Sequence, residues 1–396
     1  MSAKGIKDKV AVVGMGCSRF GENFDTSRED MVMEAVKEAL IDANLELKDI
    51  DAFWFASYYE SCGTTLSTIL KLDYKPVTRI ENNCCSGAEA FRNACYGVAS
   101  GAYGTVMAIG FDKLKDNGFS GNPFPNLYRD NTAPAFGGPA GFSLLVSGYR
   151  DKYGVSFENM REAMATVSYK NHYNGSLNPK ALYQKAVPME KIKAAPMICE
   201  PYLTIMDCAG VSDGCSCAII MSTEDALKHR PDPMFVKSVD FVAGPGTNEI
   251  CQGYDYASIG ETARMAEAAY KSAGIRDPRK ELDVIEVHDC FTITEICLYE
   301  DLLLSDRGQG WKDSIDGVFM RDGKIPVNID GGLKSFGHPI GASGIRMLYE
   351  SWLQFHGKAG KRQLTTRDPK LGLAHNLGGY PWLCVSSMTI VGKELG

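Results

Sequence analysis

No Cys-x-x-Cys pair occurs in the sequence, although it holds 13 cysteines, and spacing alone therefore argues against a zinc or iron–sulfur centre within this chain. The number is odd, and residues 1 to 9, MSAKGIKDK, lead into a strand-like run without an apolar stretch of signal-peptide length. Both features argue against a secreted disulfide framework, and most of the thiols are expected to be small core hydrophobes. No segment approaches the roughly 20 apolar residues of a membrane span. Positive charge is not in excess either: 42 Lys and Arg stand against 49 Asp and Glu, a net charge of -7, and the cations are scattered. That pattern offers no face to nucleic acid or to an anionic membrane. The expectation is a cytoplasmic protein whose partner is a small molecule or another protein.

What is present is enough apolar residue, 44% of 396, for a large core in two domains or one doubled one. KVAVVGMG (9 to 16) reads as a buried strand, REDMVMEAVKEALIDANL (28 to 45) as an amphipathic helix and IDAFWFASY (50 to 58) as a strand. The series returns as PMFVKSVDFVAG (233 to 244), ETARMAEAAYKSAGI (261 to 275) and LDVIEVHDCF (282 to 291). TRIENNCCSGAEAFRNACYGVAS (78 to 100) has its echo in VNIDGGLKSFGHPIGASGIRMLYESWLQFHG (327 to 357), read as strand, polar loop and helix. A shift of 254 residues lays Gly87-Ala88 over Gly341-Ala342 and Cys84 over His338. GTVMAIGFD (104 to 112) answers LGLAHNLGG (371 to 379), and CSCAIIMS (215 to 222) answers LCVSSMTIV (383 to 391). A duplicated βαβαβαββ unit explains the pattern, with two sheets packed back to back through shared helices. The expected division is an N-terminal half (1–114), an inserted loop domain with one or two helices (115–210), a closing strand (211–231) and a C-terminal half (232–396).

Cys84 falls at or beside a helix N-terminus, where peptide dipoles favour a thiolate, although a buried cysteine at a helix start can also be inert. Cys85 is expected to point into the helix packing. His338 has Pro339 in the first helical turn and glycines on both sides, and its repeat equivalence to Cys84 places the two helix starts on one crevice. VIEVHDCF presents His288, Asp289 and Cys290 at the carboxyl end of a strand, a common position for α/β active sites. Asp289 is expected to cap the helix that follows, TITEICLYEDLLL. In HNLGGYPWLC, Asn376, Gly378 and Gly379 either offer N–H donors to a carbonyl oxygen or make a sharp turn.

NNCCSG, VHDCF, GGLKSFGHPIGASG and HNLGG, with NHYNGSLNPKA and PYLTIMDCAGVSDG between them, together resemble the thiolase superfamily, in its sterol-carrier-protein-x-type branch. The resemblance implies an α/β five-layer αβαβα sandwich and a two-step acyl transfer on coenzyme A esters, with CoA as substrate and no tightly bound cofactor. Cys84 would be the nucleophile, and His338 its activator. His288 would stand where ordinary thiolases have Asn, and Cys290 would be the acid/base because Asn376 occupies the place of their second cysteine. Backbone N–H groups of Cys84 and Gly378 would hold an oxyanion. Asn376, Gly379, Phe124 and Tyr128 would line the substrate site, with Phe136 and Tyr183 also suited to a ring or to packing. A dimeric core is implied, with a small zinc-ribbon/OB-fold subunit as a possible partner that would carry any zinc, and without the lipid-binding domain fused to the animal proteins. Candidate substrates are 2-benzoylsuccinyl-CoA, cleaved to benzoyl-CoA and succinyl-CoA, and acetoacetyl-CoA. The competing readings are a thiolase-like retro-aldolase, whose relatives dispense with the nucleophilic cysteine, a silent acyl-CoA-binding scaffold, and a ketosynthase, disfavoured by His288.

Overall fold

The structure, a computed structural model, describes residues 5–118, 137–245, 253–381 and 383–396. The apolar runs form β1 (Val10–Cys17), β2 (Ala52–Ala56), β3 (Val77–Ile80), β4 (Thr105–Asp112), β5 (Met197–Cys199), β6 (Leu203–Thr204), β7 (Gly214–Ser222), β8 (Met234–Ala243), β9 (Val284–Glu286), β10 (Leu371–Tyr380) and β11 (Leu383–Gly392). Nine of these hydrogen-bond in the order β3-β2-β4-β7-β1-β8-β11-β10-β9. Outward from the middle, β1-β7-β4-β2-β3 is matched by β8-β11-β10-β9, and Val327 bridges in parallel to Ile285 of β9 at the place corresponding to β3. The duplication read from the sequence is therefore present as one strand order used twice. The halves are also stitched at one edge, where β1 pairs antiparallel with β8 at Ala11–Phe235 and Val12–Met234.

Helix Arg28–Ala43 starts where the Ser27 side chain accepts the Asp30 N–H at 3.0 Å and stops at Asn44, whose φ of 52° is left-handed. It buries Met31, Val32, Ala35, Val36 and Ala39 on the outer face of the N-terminal half, and helix Gly260–Ala273 does the same for the C-terminal half against β8 and β11. Helices Ser86–Ala99 and Ser343–Phe355 lie between the two halves, each touching strands of both. Ser343 to Trp352 is buried without interruption, because that helix has no solvent side. These layers make the α-β-α-β-α sandwich.

Between β4 and β7 the described residues hold helices Gly138–Tyr153, Phe157–Ser176 and Met189–Lys193 and the β5–β6 hairpin, more structure than the one or two helices expected. The second helix is bolted to the C-terminal half. Lys170 Nζ reaches Glu295 and, at 2.8 Å, the Val327 carbonyl, while Asn171 Nδ2 donates to Asp289 and Glu295 at 2.7 Å each. Residues 327–357 also differ from strand, loop and helix: the strand shrinks to the Val327 bridge, and the loop contains helix Gly332–Phe336. The φ values of +112° at Gly331 and +113° at Gly337 on either side explain why glycine is needed there.

Candidate active site

Beyond β3 the chain makes a tight turn with Asn83 in the left-handed region at φ 51°. Ser86 Oγ donates to the Asn83 carbonyl at 2.6 Å and accepts the Asn82 N–H at 2.7 Å, and the Cys85 N–H closes on the Asn82 carbonyl at 3.1 Å. Cys84 is thereby held just ahead of helix Ser86–Ala99 and is 7% exposed. Cys85 turns away: it is fully buried, with Sγ 3.2 Å from the Asn376 carbonyl, and burial pushes its thiol pKa up.

The two helix starts meet backbone to backbone. A Cβ on Gly87 would lie 2.4 Å from the Gly341 carbonyl, and one on Gly344 would lie 2.4 Å from the Ala88 nitrogen. Asp112 at the end of β4 secures the arrangement by accepting the Ser57 hydroxyl, the Tyr58 N–H and the Gly341 N–H at 2.8, 2.7 and 2.6 Å, and burial raises its carboxyl to about 6. Cys84 Sγ and a ring nitrogen from each of His288 and His338 consequently lie within 4.8 Å of one another. The two imidazoles are nearly perpendicular, with centroids 5.3 Å apart.

Hydrogen bonding assigns the two rings different tasks. Ser343 Oγ donates its one proton to the Pro339 carbonyl at 2.8 Å, so it accepts from His338 Nδ1–H at 2.7 Å. Among the described residues His338 Nε2 is left as a buried acceptor without a hydrogen-bond partner. Asn376 Nδ2 lies 3.4 Å from His288 Nδ1, which places the His288 proton on Nε2. Burial, then the cationic Arg346, depresses His338 to about 3, while burial and the neighbouring His338, His375 and Arg346 hold His288 well below its ordinary range. The pair is a neutral ring acceptor beside a neutral ring donor.

Cys290 is 8% exposed, its Sγ is 3.8 Å from Thr294 Oγ1, and burial, followed by the Cys84 charge, raises its pKa well above the usual thiol value. Asp289 departs from expectation. It does not cap helix Thr292–Asp301, whose N-cap is Phe291, but accepts the Leu333 and Lys334 N–H groups at 2.6 and 3.1 Å. A strand-end carboxylate buried here is drawn to the nearest unpaired N–H groups, and those belong to helix Gly332–Phe336. Burial, then Glu295, raises its carboxyl to about 7.

Gly378 and Gly379 lie within β10, paired with Val385 and Cys384 of β11. A Cβ on Gly378 would strike the Asn82 carbonyl at 2.5 Å, so this glycine lets the Cys84 turn rest on the strand, and Gly379 carries φ +101°. Tyr183 packs on His172, with ring centroids 5.6 Å apart, and its backbone carbonyl accepts the Ser335 hydroxyl at 3.0 Å. Phe124, Tyr128 and Phe136 lie outside the described residues. Sequence reasoning missed Leu114, Ile340, Val211 and Tyr58, which pack around Cys84, and Phe142, stacked at 4.7 Å on Phe291 and 6.1 Å from Tyr380. It also missed Ser343, although the small polar residue in GASG five positions after the histidine was a usable signal.

Over 382 residues, 93% of this chain and 96% of the relative, the sequence is 34% identical to the acetyl-CoA acetyltransferase of Methanothermobacter thermautotrophicus. The chain belongs to the thiolase superfamily, in its sterol-carrier-protein-x-type branch. Residues 246–393 of this thiolase match the family described as Thiolase C-terminal domain-like. It is 29% identical to sterol carrier protein 2 of Bos taurus over 397 residues, covering 94% of this chain and 70% of that one. Among solved structures, the Ltp2-ChsH2(DUF35) aldolase superposes with a TM-score of 0.81 at 19% identity, covering 98% of both chains, a likeness of fold. The enzyme is an acyltransferase of the thiolase type. Among the described residues no helix is long and apolar enough to cross a membrane.

Proposed function

We propose that the enzyme cleaves a 3-oxoacyl-CoA through an acyl group carried on Cys84. The observation that carries this reading is that Cys84 Sγ and a ring nitrogen of each of His288 and His338 lie within 4.8 Å of one another, while His338 Nε2 has no hydrogen-bond partner among the described residues. His338 Nε2 takes the Cys84 proton, and the sulfur attacks the 3-keto carbon. Backbone N–H groups of Cys84 and Gly378 hold the oxyanion, each donor contributing about 3 kcal/mol. As the C2–C3 bond breaks, the electron pair passes to the thioester enolate, whose oxygen faces His288 and His338. Cys290 gives its proton to C2, and the shortened acyl-CoA leaves. The Cys290 thiolate then removes the proton of free CoA, whose sulfur collects the acyl group, and Cys84 recovers its proton from His338. A thiol that burial keeps protonated at rest suits this order, since its first act is to donate.

For the substrate, Tyr58, Phe142, Phe291 and Tyr380 near the two cysteines favour a bulky aromatic acyl group such as the benzoyl group of 2-benzoylsuccinyl-CoA. Acetoacetyl-CoA is the second reading, favoured by the 34% identical acetyl-CoA acetyltransferase. A small zinc-binding subunit is part of the proposal, in keeping with the solved Ltp2-ChsH2(DUF35) aldolase. Thiolysis of a panel of 3-oxoacyl-CoAs, with and without CoA, is the test. Cys84→Ser is expected to abolish turnover and the mass increase of an acyl adduct, whereas Cys290→Ala retains the adduct and loses exchange of the α-proton. Turnover without CoA would identify a retro-aldolase instead, and wild-type thiolysis by Cys84→Ser would end the proposal.

A further inference from the structure

Beneath the two imidazoles lies a cation that the acyl-transfer scheme leaves without a task. Arg346 is on helix Ser343–Phe355, three residues past the Ser343 that orients His338, and is fully buried. Its Nη1 bonds Asp330 Oδ2 and lies 3.3 Å from Glu286 Oε2. These acids stand at the roots of both histidine-bearing segments. Glu286 ends β9 two residues before His288, while Asp330 Oδ1 accepts the Gly332 N–H at 2.8 Å and so starts the short helix that delivers His338. The Asp330 N–H also approaches Glu286 Oε1 at 3.4 Å, and the guanidinium sits 4.9 Å over the Phe336 ring in that helix. Helix, strand end and turn are thus joined at one guanidinium. Stability is a poor explanation for it, since a buried ion pair is often no better than well-packed apolar residues, and Arg346 Nε and Nη2 find no acceptor among the described residues.

We propose that Arg346 is a positioning residue for acyl transfer: by holding Glu286 and Asp330 together it fixes His288 and His338 relative to each other and to Cys84. The proposal rests on the acyl-transfer reading of Cys84 and His338. Its charge acts in the same direction as its geometry. The titratable and charged groups that bear on the imidazoles are Cys84, the other imidazole, His375 of β10 and Arg346, with Cys290 beside Cys84 and with Glu286 and Asp330 on the guanidinium. For His338 the charged neighbour that counts beside burial is Arg346, and it opposes protonation.

Alkylation of Cys84 by iodoacetamide across the acid range, read from the mass of the Cys84 peptide, tests this without any substrate, and steady-state thiolysis runs alongside. In R346Q the acid limb is expected to move up by about one pH unit, since His338 then protonates more readily, so the rate on that limb drops on the order of tenfold relative to the plateau. R346K keeps the cation but not the fork, so its limb stays in place while kcat falls on the order of tenfold with KM within about twofold. D330N removes a negative charge and loosens the clamp, so kcat falls and the limb does not rise. A wild-type limb and kcat in R346Q overturn the proposal, as does a D330N limb that rises like that of R346Q. Should R346Q fail to fold by circular dichroism, R346K and D330N decide, and wild-type kcat in both overturns it. Failure of wild-type Cys84 to react ahead of the other buried thiols would overturn the acyl-transfer reading itself, which a normal wild-type profile with an indifferent R346Q would leave standing.

Discussion

At the scale of single residues, the site works by giving each polar atom one proton and one direction. Ser343 is the clearest case, because its hydroxyl, spent on the Pro339 carbonyl, can only accept from His338, and this leaves Nε2 as the acceptor of the ring. Ser343→Ala removes that acceptor and frees the ring to take the other tautomer. The expected result is a fall in kcat on the order of tenfold to a hundredfold with KM little changed, restored in part by Ser343→Thr, as steady-state thiolysis would read. Cys85 shows the converse, a thiol whose neighbours are the Asn376 and Val385 carbonyls and which burial keeps protonated. Adjacent cysteines thus differ in role because one stands before the helix and the other at its N-cap.

At the scale of elements, the decisive contact is between two helix starts with no side chains between them. Gly87→Ala would place a methyl 2.4 Å from the Gly341 carbonyl, which backbone movement alone can relieve. Overpacking of that kind costs roughly 1–3 kcal/mol, so thermal unfolding should begin a few degrees lower, and kcat should fall further than stability does because Cys84 shifts against His338. Gly260→Ala, where a Cβ meets nothing within 4 Å among the described residues, is the matched control and should leave both unchanged. The Cys84 block and the His338 block were both legible in the sequence as helix starts, and the 254-residue shift already set one over the other. Their contact depended on Gly87, Gly341 and Gly344, whose lack of side chains says nothing, on its own, about which backbone comes near. Asp289 was misread for a related reason: a carboxylate before a helical pattern suggests a local cap, and nothing in sequence reveals that a helix 44 residues away offers its N–H groups instead.

At the scale of the whole molecule, the halves are expected to unfold together. Helices Ser86–Ala99 and Ser343–Phe355 each pack on strands of both halves, β1 pairs with β8, and helix Phe157–Ser176 is pinned to Glu295 and Asp289. Neither half can therefore bury its inner face alone. Variants retaining only Trp54, on β2, or only Trp311, in helix Gly310–Ile315, should report the same urea midpoint, and two separate midpoints would show independent halves. By itself the sequence determined the strand and helix series, its duplication, the four motifs and hence the family, because periodicity and motif chemistry are local or repeat at fixed spacing. Only the tertiary structure decided the geometry at Cys84: which proton each histidine holds, that Asp289 serves a distant helix, and that Arg346 ties both histidine segments. Those depend on which backbone and side-chain atoms meet across segments far apart in the chain, and hydrogen bonds of that kind exist only once both halves are packed on their shared helices.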